Sequence, residues 1–249
     1  MINNVRVIIR GGGTGGHIFP AVSIAGAIRE KLPNAEILFV GAEGRMEMEK
    51  VPAAGYKIIG LPIQGLYRSF TLKNIKVIAQ AISSLRKAKK IIKEFKPDIA
   101  IGVGGYASGP LLWQASSMGI PTLIQEQNSY AGVTNKLLAK KASKICVAYQ
   151  NMDRFFPADR IIYTGNPVRQ NLCNENIDKE KAAEDFNLSP DKPTILLIGG
   201  SLGARTMNES VLQSLELIRK SNVQFIWQTG SYYKDHIAQQ LARHSIPGN

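Results

Sequence analysis

The stretch VRVIIRGGGTGGH, residues 5–17, is the part of the sequence that decides the expected fold. A short run rich in Val and Ile, typical of a buried strand, stops at a row of glycines, and residues 20–31 then follow with a helical pattern. A strand that passes through a tight glycine turn into a helix is the opening of a β–α–β unit. This stretch therefore predicts an α/β protein built on a parallel sheet with crossover helices.

The same order of strand and helix recurs along the chain. Further strands are predicted at residues 36–40, 98–103, 122–125, 144–147 and 160–163, and helices at 72–95, 109–118 and 134–140. After a polar connector with an exposed helix at 174–192, a second series begins: strand 194–198, helix 204–220, strand 223–228 and helix 232–243. We expect two domains, 1–164 and 165–249. Because two strand–helix units bury too little surface to stand alone, the second domain is expected to be truncated.

Composition excludes several classes of protein. The chain has 249 residues, of which 44% are hydrophobic and 20% charged, an ordinary globular balance that argues against disorder or a coiled coil. Two cysteines, Cys146 and Cys173, are too few for a disulfide framework or a four-ligand zinc site. The N-terminus resembles no signal peptide, and no apolar run approaches the roughly 20 residues of a membrane span. A cytosolic, reducing location is expected.

Positive charge is concentrated in one segment. The formal net charge is +12, and +8 of it lies between Leu66 and Lys96, where nine basic residues stand against one acid, Glu94. Such a zone favours an anionic partner, whether nucleic acid, an acidic membrane surface or a phosphorylated ligand, although a solvated helix face is the alternative. No RNA- or DNA-binding motif accompanies the zone, so nucleic acid is not expected as a partner.

Glycine-rich turns between a strand and a helix occur three times, at residues 11–17, 104–109 and 200–204. Glycine lets the backbone turn sharply and approach a ligand, and the helix that follows offers unpaired N–H groups that suit a phosphate or pyrophosphate. In open α/β sheets, ligands bind beyond the carboxyl ends of the strands, where all three loops are expected. Turns without any ligand are the alternative, less favoured for three equivalent loops than for one.

Two common ligand classes fit these loops poorly. Gly11, Gly13 and Gly16 formally match a dinucleotide fingerprint, but the acid expected at the end of the second strand is misplaced, since Glu36 begins that strand. No Gly-Lys-Ser/Thr follows any loop, so the P-loop signature is absent. A sugar nucleotide, with its pyrophosphate, remains.

Five motifs follow one another along the chain: GGGTGGHIFP at 11–20, GVGGYASGP at 102–110, EQNSYAGVTNK at 126–136, GNPVR at 165–169 and GGSLGAR at 199–205. In this order they closely resemble the motifs of the MurG family of bacterial glycosyltransferases, glycosyltransferase family 28. The resemblance covers essentially the whole chain. It implies the GT-B architecture, two doubly wound Rossmann-like domains facing each other across a cleft. The first domain would serve the acceptor and the membrane, and the second, incomplete here, would bind UDP-sugar.

The resemblance also implies an activity. Family members are inverting hexosyltransferases that move N-acetylglucosamine from UDP-GlcNAc to the C4 hydroxyl of MurNAc in lipid I (undecaprenyl-pyrophosphoryl-MurNAc-pentapeptide), giving lipid II for peptidoglycan and hence for cell shape and division. The implied location is peripheral, on the cytoplasmic face of the cell membrane, with anionic lipid and other cell-wall synthesis proteins as partners and no cofactor. Because the later donor segment would lie beyond Asn249, this chain alone is expected to be inactive. Another GT-B UDP-sugar transferase or epimerase, or an inactive membrane-associated scaffold, are the alternatives.

Two residues are candidates for the base that such a displacement needs. His17 ends the first glycine loop, and the ordinary pKa of a histidine side chain, about 6.5, suits the role. The alternative is that His17 orients substrate without taking a proton. Glu126 is the other candidate, and it could equally brace the turn beside it.

Further site residues follow from the resemblance. Those matched to UDP-GlcNAc binding are Thr14, Gly15, Gly16, Asn128, Arg169 and Ser201, and those matched to the acceptor diphosphate are Gly104, Gly105 and Tyr106. No metal is expected, because no Asp-x-Asp accompanies a glycine loop. Helix dipoles and Arg169 would stabilise the diphosphate instead.

The basic zone matches the membrane-docking region of the family. Ile75, Ile78, Ile82 and Leu85 form one stripe of the predicted helix, with Lys73, Lys76, Arg86 and Lys87 nearby. Apolar residues rimmed by basic ones suit an anionic lipid surface. The alternative is that the stripe packs on the sheet.

Overall fold

The computed structural model describes residues 4–63, 73–105, 108–169, 178–200 and 202–244, with the backbone alone for residues 73–79. The chain divides into two compact units, Met1–Cys173 and Asn174–Asn249. The boundary expected from the sequence, between residues 164 and 165, lies a short distance before this division.

The first unit alternates strands and helices. Its strands are β1 (Arg6–Arg10), β2 (Glu36–Ala42), β3 (Lys57–Leu61), β4 (Ile99–Gly102), β5 (Thr122–Glu126), β6 (Lys144–Val147) and β7 (Ile161–Tyr163). Its α-helices are α1 (Gly15–Lys31), α2 (Glu47–Ala53), α3 (Lys73–Phe95), α4 (Ser108–Ser117) and α5 (Val133–Ala139), with a 3-10 turn at Ala158–Arg160. The strands form one seven-stranded sheet in the order β3-β2-β1-β4-β5-β6-β7, and every neighbouring pair is parallel. The predicted α/β parallel-sheet fold is confirmed.

The strand order reverses direction between β1 and β4. The chain builds outward from β1 to β3 on one side and from β4 to β7 on the other, so the connections after β1 and β4 leave in opposite directions. Arg10 pairs with Gly102, which brings the carboxyl ends of the two strands to the same level. A crevice opens at such a switch point, and the glycine loops at 11–17 and 104–109 begin at its two sides.

Apolar side chains cover both faces of this sheet. Along β1, Ile8 packs into a core with α3 and α4, whereas Val7 and Ile9 pack into a second core with α1. Strands buried on both faces read as continuous apolar runs, which is why they were visible in the sequence.

Two elements of the first unit were missed by the sequence analysis. Helix α2 has only seven residues and carries Pro52, and edge strand β3 has Gly60 in its interior. Proline and glycine both weaken the local signal. Gly60 is needed there, because a Cβ at this position would lie 2.6 Å from Cγ of Glu43.

Some predicted helix boundaries were wrong. Helix α1 begins at Gly15 rather than at residue 20, because its first turn is built from glycines and Pro20 is accommodated inside the helix. His17 therefore lies in the first turn of α1 and not in the loop before it. The helix predicted at 204–220 is divided at Ser214, whose ψ of 4° departs from helical values.

The second unit contains a two-stranded parallel sheet. Its strands are β8 (Thr194–Ile198) and β9 (Gln224–Gln228), and its helices are α6 (Lys179–Asp185), α7 (Arg205–Gln213), α8 (Leu215–Lys220) and α9 (Lys234–Arg243). Helix α6 lies in the polar stretch that was expected to hold an exposed helix. Asn208 of α7 ties this unit together: its amide donates to the carbonyl oxygen of Thr229 and its Oδ1 accepts from the indole of Trp227.

Helix α3 buries the side of Ser84, Ala88 and Ile91, and leaves Ile82 47% exposed. Of the predicted apolar stripe, Ile82 is therefore exposed, whereas Leu85 is half-buried. Ile75 and Ile78 lie outside the residues whose side chains are described. Among the described residues, no helix combines the length and the apolar character needed to cross a bilayer.

Candidate functional site

The first glycine loop delivers the N-terminus of α1 to the crevice. Gly13 has a φ of +92°, a left-handed conformation that glycine adopts without strain. Thr14 is the extended N-cap residue, and its carbonyl accepts from the backbone N–H groups of His17 and Ile18. The first turn of α1 contains no acidic residue, so its unpaired N–H groups and positive dipole end are available to an anion.

A buried carboxylate supports this loop from behind. Glu47, at the start of α2, is fully buried and accepts from the backbone N–H of Gly13 at 3.0 Å and of Ala42 at 2.9 Å. A Cβ on Gly12 would lie 2.2 Å from Oε1 of Glu47, so the loop and the carboxylate fit closely only with glycine there. No local signal in the sequence marked Glu47, because it reaches the loop from 34 positions away.

The second glycine loop lies against the ring of His17. Gly104 and Gly105 have φ values of +84° and +78°, and a Cβ on Gly104 would lie 3.0 Å from Cε1 of His17. A Cβ on Gly105 would lie 3.1 Å from the carbonyl oxygen of Gly12. The first two glycine loops therefore meet at His17, and the absence of side chains at Gly104 and Gly105 makes room for the imidazole.

The imidazole of His17 is held by Gln127. Nδ1 of His17 lies 3.1 Å from Oε1 of Gln127. The amide nitrogen of Gln127 donates to the carbonyl oxygen of Val103 at 3.0 Å and to Oε1 of Gln125. In the sequence Gln127 is a member of the motif at residues 126–136, and no local signal there indicates its role.

Glu126 is engaged on both of its carboxylate oxygens. Oε1 accepts from the backbone N–H and the side-chain amide of Asn128 at 3.1 and 2.9 Å, and Oε2 accepts from the backbone N–H of Gly132 at 3.0 Å and the amide of Asn135 at 2.9 Å. The side chain is 1% exposed. This geometry favours the bracing role over that of a base, since a base needs a lone pair that reaches the substrate.

A cleft of about 640 Å³ opens over the N-terminus of α1. Its lining residues are Thr14, Gly15, Gly16, His17, Phe19, Pro20, Ser23, Gln127, Asn128, Asn166, Pro167, Val168 and Arg169. Its volume falls within the range of small-molecule sites. The fold thus brings together six residues singled out from the sequence: Thr14, Gly15, Gly16, His17, Asn128 and Arg169.

The cleft lining does not include the other predicted site residues that the structure describes. Gly104 and Gly105 lie behind His17 and are absent from the described lining of the cleft. Tyr106 and Ser201 lie outside the described residues. Their assignment to the acceptor diphosphate and to the donor remains a prediction.

Arg169 closes one side of the cleft. Its guanidinium carbon lies 5.2 Å from the centroid of the Phe19 ring, a cation–π arrangement that joins the segment after β7 to α1. Within the part of the chain that the structure describes, no group of three or more His, Cys, Asp or Glu side chains could hold a metal ion. Among the described lining residues, Arg169 carries a positive side chain, and the N-terminus of α1 adds the positive end of its dipole.

The fold and the cleft define a doubly wound α/β protein with a small-molecule cleft at the switch point of its parallel sheet, and family comparison makes this class specific. The glycosyltransferase family 28 N-terminal domain matches residues 7–147, and the glycosyltransferase family 28 C-terminal domain matches residues 194–247. The chain belongs to glycosyltransferase family 28. The expected GT-B organisation, with an N-terminal and a C-terminal domain of this family, is confirmed.

Two curated relatives of this chain carry the same name. The chain is 64% identical over 236 residues to the "UDP-N-acetylglucosamine--N-acetylmuramyl-(pentapeptide) pyrophosphoryl-undecaprenol N-acetylglucosamine transferase" of Parabacteroides distasonis. It is 66% identical over 233 residues to the protein of the same name from Phocaeicola vulgatus. These alignments cover 95% and 94% of the chain but only 64% and 62% of the relatives.

Two solved structures resemble this chain in fold. The crystal structure of Acinetobacter baumannii MurG matches with a TM-score of 0.67 and 28% identity, covering 98% of this chain and 65% of that one. A UDP-GlcNAc 2-epimerase from Neisseria meningitidis, bound to UDP-GlcNAc, matches with a TM-score of 0.62 at 16% identity, covering 98% of this chain and 70% of that one. The second likeness shows the fold alone, so the fold by itself does not separate transferases from epimerases.

Proposed function

We propose that the protein containing this chain is the inverting transferase that moves N-acetylglucosamine from UDP-GlcNAc to the C4 hydroxyl of MurNAc in lipid I, giving lipid II. The observation that carries this proposal is the convergence of six family-matched residues on one cleft at the switch point of the sheet. Relatives more than 60% identical that bear the name of this transferase support it. Residues 1–164 would serve the acceptor and residues 165–249 would begin the donor domain.

His17 is the proposed base. Its ring is part of the cleft lining and is held at Nδ1 by Gln127, which leaves Nε2 without a hydrogen bond to any described residue. In the proposed step, Nε2 takes the proton of the acceptor hydroxyl while the hydroxyl oxygen forms a bond to the anomeric carbon. The bond from that carbon to the β-phosphate oxygen breaks, and UDP leaves with the electron pair. Inversion follows from this single displacement.

The leaving diphosphate needs positive charge. The N-terminus of α1, with Thr14, Gly15 and Gly16, offers backbone N–H groups and the hydroxyl of Thr14. Arg169 offers a guanidinium on the other side of the cleft, and such groups bind diphosphates through charge-assisted hydrogen bonds. Asn128 is proposed to contact the N-acetylglucosamine moiety, and Ser201 a phosphate. Together these groups would stabilise developing charge without a metal ion.

Helix α3 is the proposed membrane contact. Ile82 is exposed, and Lys89, Lys90 and Lys93 on the same helix are also exposed. An exposed apolar side chain on the same helix as exposed lysines favours an anionic lipid surface, where the polyprenyl tail of lipid I would reside. The proposed location is therefore peripheral, on the cytoplasmic face of the cell membrane.

The activity is tested on a protein of the relatives' full length that contains this chain. Radiolabelled UDP-GlcNAc and a lipid I analogue are incubated with wild type, His17→Ala and His236→Ala in EDTA. His236 is an exposed histidine of the second unit and serves as the matched control. We expect transfer in wild type and in the control, and a loss of kcat of about 10²–10⁴-fold in His17→Ala.

Other outcomes would contradict the proposal in separable ways. Undiminished transfer in His17→Ala would exclude His17 as the base. Transfer that EDTA abolishes and Mg²⁺ restores would refute the metal-free step. UDP-GlcNAc binding without any transfer to lipid I would refute the acceptor and favour the epimerase or scaffold alternatives.

A further inference from the structure

We infer that Gln127 is a positioning residue that holds His17 as the tautomer protonated on Nδ1, so that Nε2 presents its lone pair to the cleft. The use of that lone pair as a base rests on the proposed function. The tautomer itself follows from the hydrogen bonds around Gln127 and does not depend on it.

The backbone carbonyl of Val103 determines which way the side-chain amide of Gln127 is turned. The backbone carbonyl of Val103 can only accept a hydrogen bond, and the side-chain amide of Gln127 lies 3.0 Å from it. The Gln127 atom facing that carbonyl must therefore be nitrogen. A flipped amide would place two acceptors against each other.

The orientation of Gln127 then dictates the state of His17. With its nitrogen on Val103, Gln127 presents Oε1 to Nδ1 of His17 at 3.1 Å. An amide oxygen has no hydrogen to donate, so Nδ1 must carry the hydrogen. In a neutral imidazole the other nitrogen is then the acceptor, and the hydrogen bond of one nitrogen thus decides the function of the other.

Two further contacts hold this arrangement in place. Gln125, which is 1% exposed, accepts the second N–H of Gln127 through Oε1, so both amide hydrogens are used. The backbone N–H of Val103 donates to the carbonyl of Arg10 at 2.8 Å. A series of hydrogen bonds therefore connects β1 through Val103 and Gln127 to the imidazole of His17.

The same contact serves the protonated state. When Nε2 takes a proton, Nδ1 keeps its hydrogen and its bond to Gln127, so the ring need not reorient during the reaction. A hydrogen bond from a charged donor is stronger than one from a neutral donor, so this bond strengthens as the imidazolium forms.

The tautomer is measured directly in this chain by a two-bond ¹H–¹⁵N correlation spectrum of ¹⁵N-histidine-labelled protein at mildly alkaline pH. The signals of His17 are identified by their loss in His17→Ala. We expect the Nδ1–H form in wild type, because Oε1 of Gln127 can only accept from Nδ1. We expect Gln127→Leu to lose this form, while Gln150→Leu, the same change at an exposed glutamine, retains it.

An Nε2–H tautomer in wild type overturns the inference, and so does an unchanged tautomer in Gln127→Leu. In the full-length protein, Gln127→Leu is expected to lower kcat about tenfold or more, within the factor of about 10²–10⁴ that a base supplies, with KM for UDP-GlcNAc little changed. If Gln127→Leu instead raised KM about tenfold and left kcat unchanged, the positioning role would be overturned. Failure of the proposed function is distinguishable, since the spectrum does not depend on activity.

Discussion

The Glu126→Gln substitution separates the two roles that Glu126 could have. Its carboxylate is buried and accepts four hydrogen bonds that close the segment between β5 and α5. Glutamine has nearly the same shape but replaces one oxygen by an NH₂ group. The two N–H groups on the replaced oxygen would then face an NH₂ group instead of an acceptor. The two hydrogen bonds to the other oxygen would become weaker, because their acceptor would no longer be charged.

The magnitude follows from these four bonds. A hydrogen bond to a charged group contributes about 1.5–3 kcal/mol, so losing the two bonds of one oxygen costs about 3–6 kcal/mol. A neutral amide is less costly to bury than a carboxylate, which offsets part of this loss. We therefore expect a decrease of about 2–4 kcal/mol in the free energy of unfolding of the first unit, a large part of the usual 5–15 kcal/mol.

Urea unfolding followed by tryptophan fluorescence measures this decrease. The chain has two tryptophans, so a Trp227→Phe background leaves Trp113 of α4 as the reporter of the first unit. Glu94→Gln is the matched control, because Glu94 is an exposed carboxylate of α3 whose ion pair with Lys90 spans 3.8 Å. Its effect is expected to stay within about 0.5 kcal/mol.

An unchanged midpoint for Glu126→Gln would refute the bracing argument. If the full-length variant then also lost kcat by about 100-fold or more, Glu126 would become the better candidate for the base. A destabilised variant that retains most of its kcat at low temperature would confirm that the carboxylate supports the turn.

Three other measurements test the remaining contacts. Glu47→Gln should destabilise the first unit by about 1.5–3 kcal/mol in urea unfolding, because one of its two bonds to backbone N–H groups loses its acceptor; no change would mean that the glycine loop holds without it. Burial raises the pKa of the Cys146 thiol, so at pH 8 iodoacetamide should alkylate it more slowly than a model thiol in a Cys173→Ser background; equal rates would contradict this. Arg160→Leu should lower the melting temperature, because its guanidinium donates to three backbone carbonyls around the end of α5, whereas Arg205→Leu, at an exposed i,i+4 pair, should not.

Most of the sheet was predictable because its signals are local. Strands such as β1 and β5 are buried on both faces, so each is an uninterrupted apolar run that ends in glycine or a polar turn. Where the local signal is weak, prediction failed: β3 carries an interior glycine, and α2 is short and contains proline. The start of α1 was missed because glycines in its first turn hide a helix that tertiary packing stabilises.

The candidate site was predictable in its members and not in their roles. Thr14, His17, Asn128 and Arg169 were singled out from motifs, and all line one cleft. Glu126 was left open between base and brace, and only its four hydrogen-bond donors favour the second role. Those donors come from as far as nine residues along the chain, so their convergence is not visible in the motif.

The amino-acid sequence by itself determined the alternation of strands and helices, the two series, and the glycine loops, because backbone conformation and burial periodicity act over a few residues. Tertiary structure alone decided how distant segments meet. His17 and Gln127 are 110 positions apart, and Gly104 lies against both only because β4 neighbours β1 in the sheet. Strand order depends on packing between elements. It decides which nitrogen of His17 faces the cleft and which carboxylate supports the loop. These are long-range contacts, and no short pattern of residues encodes them.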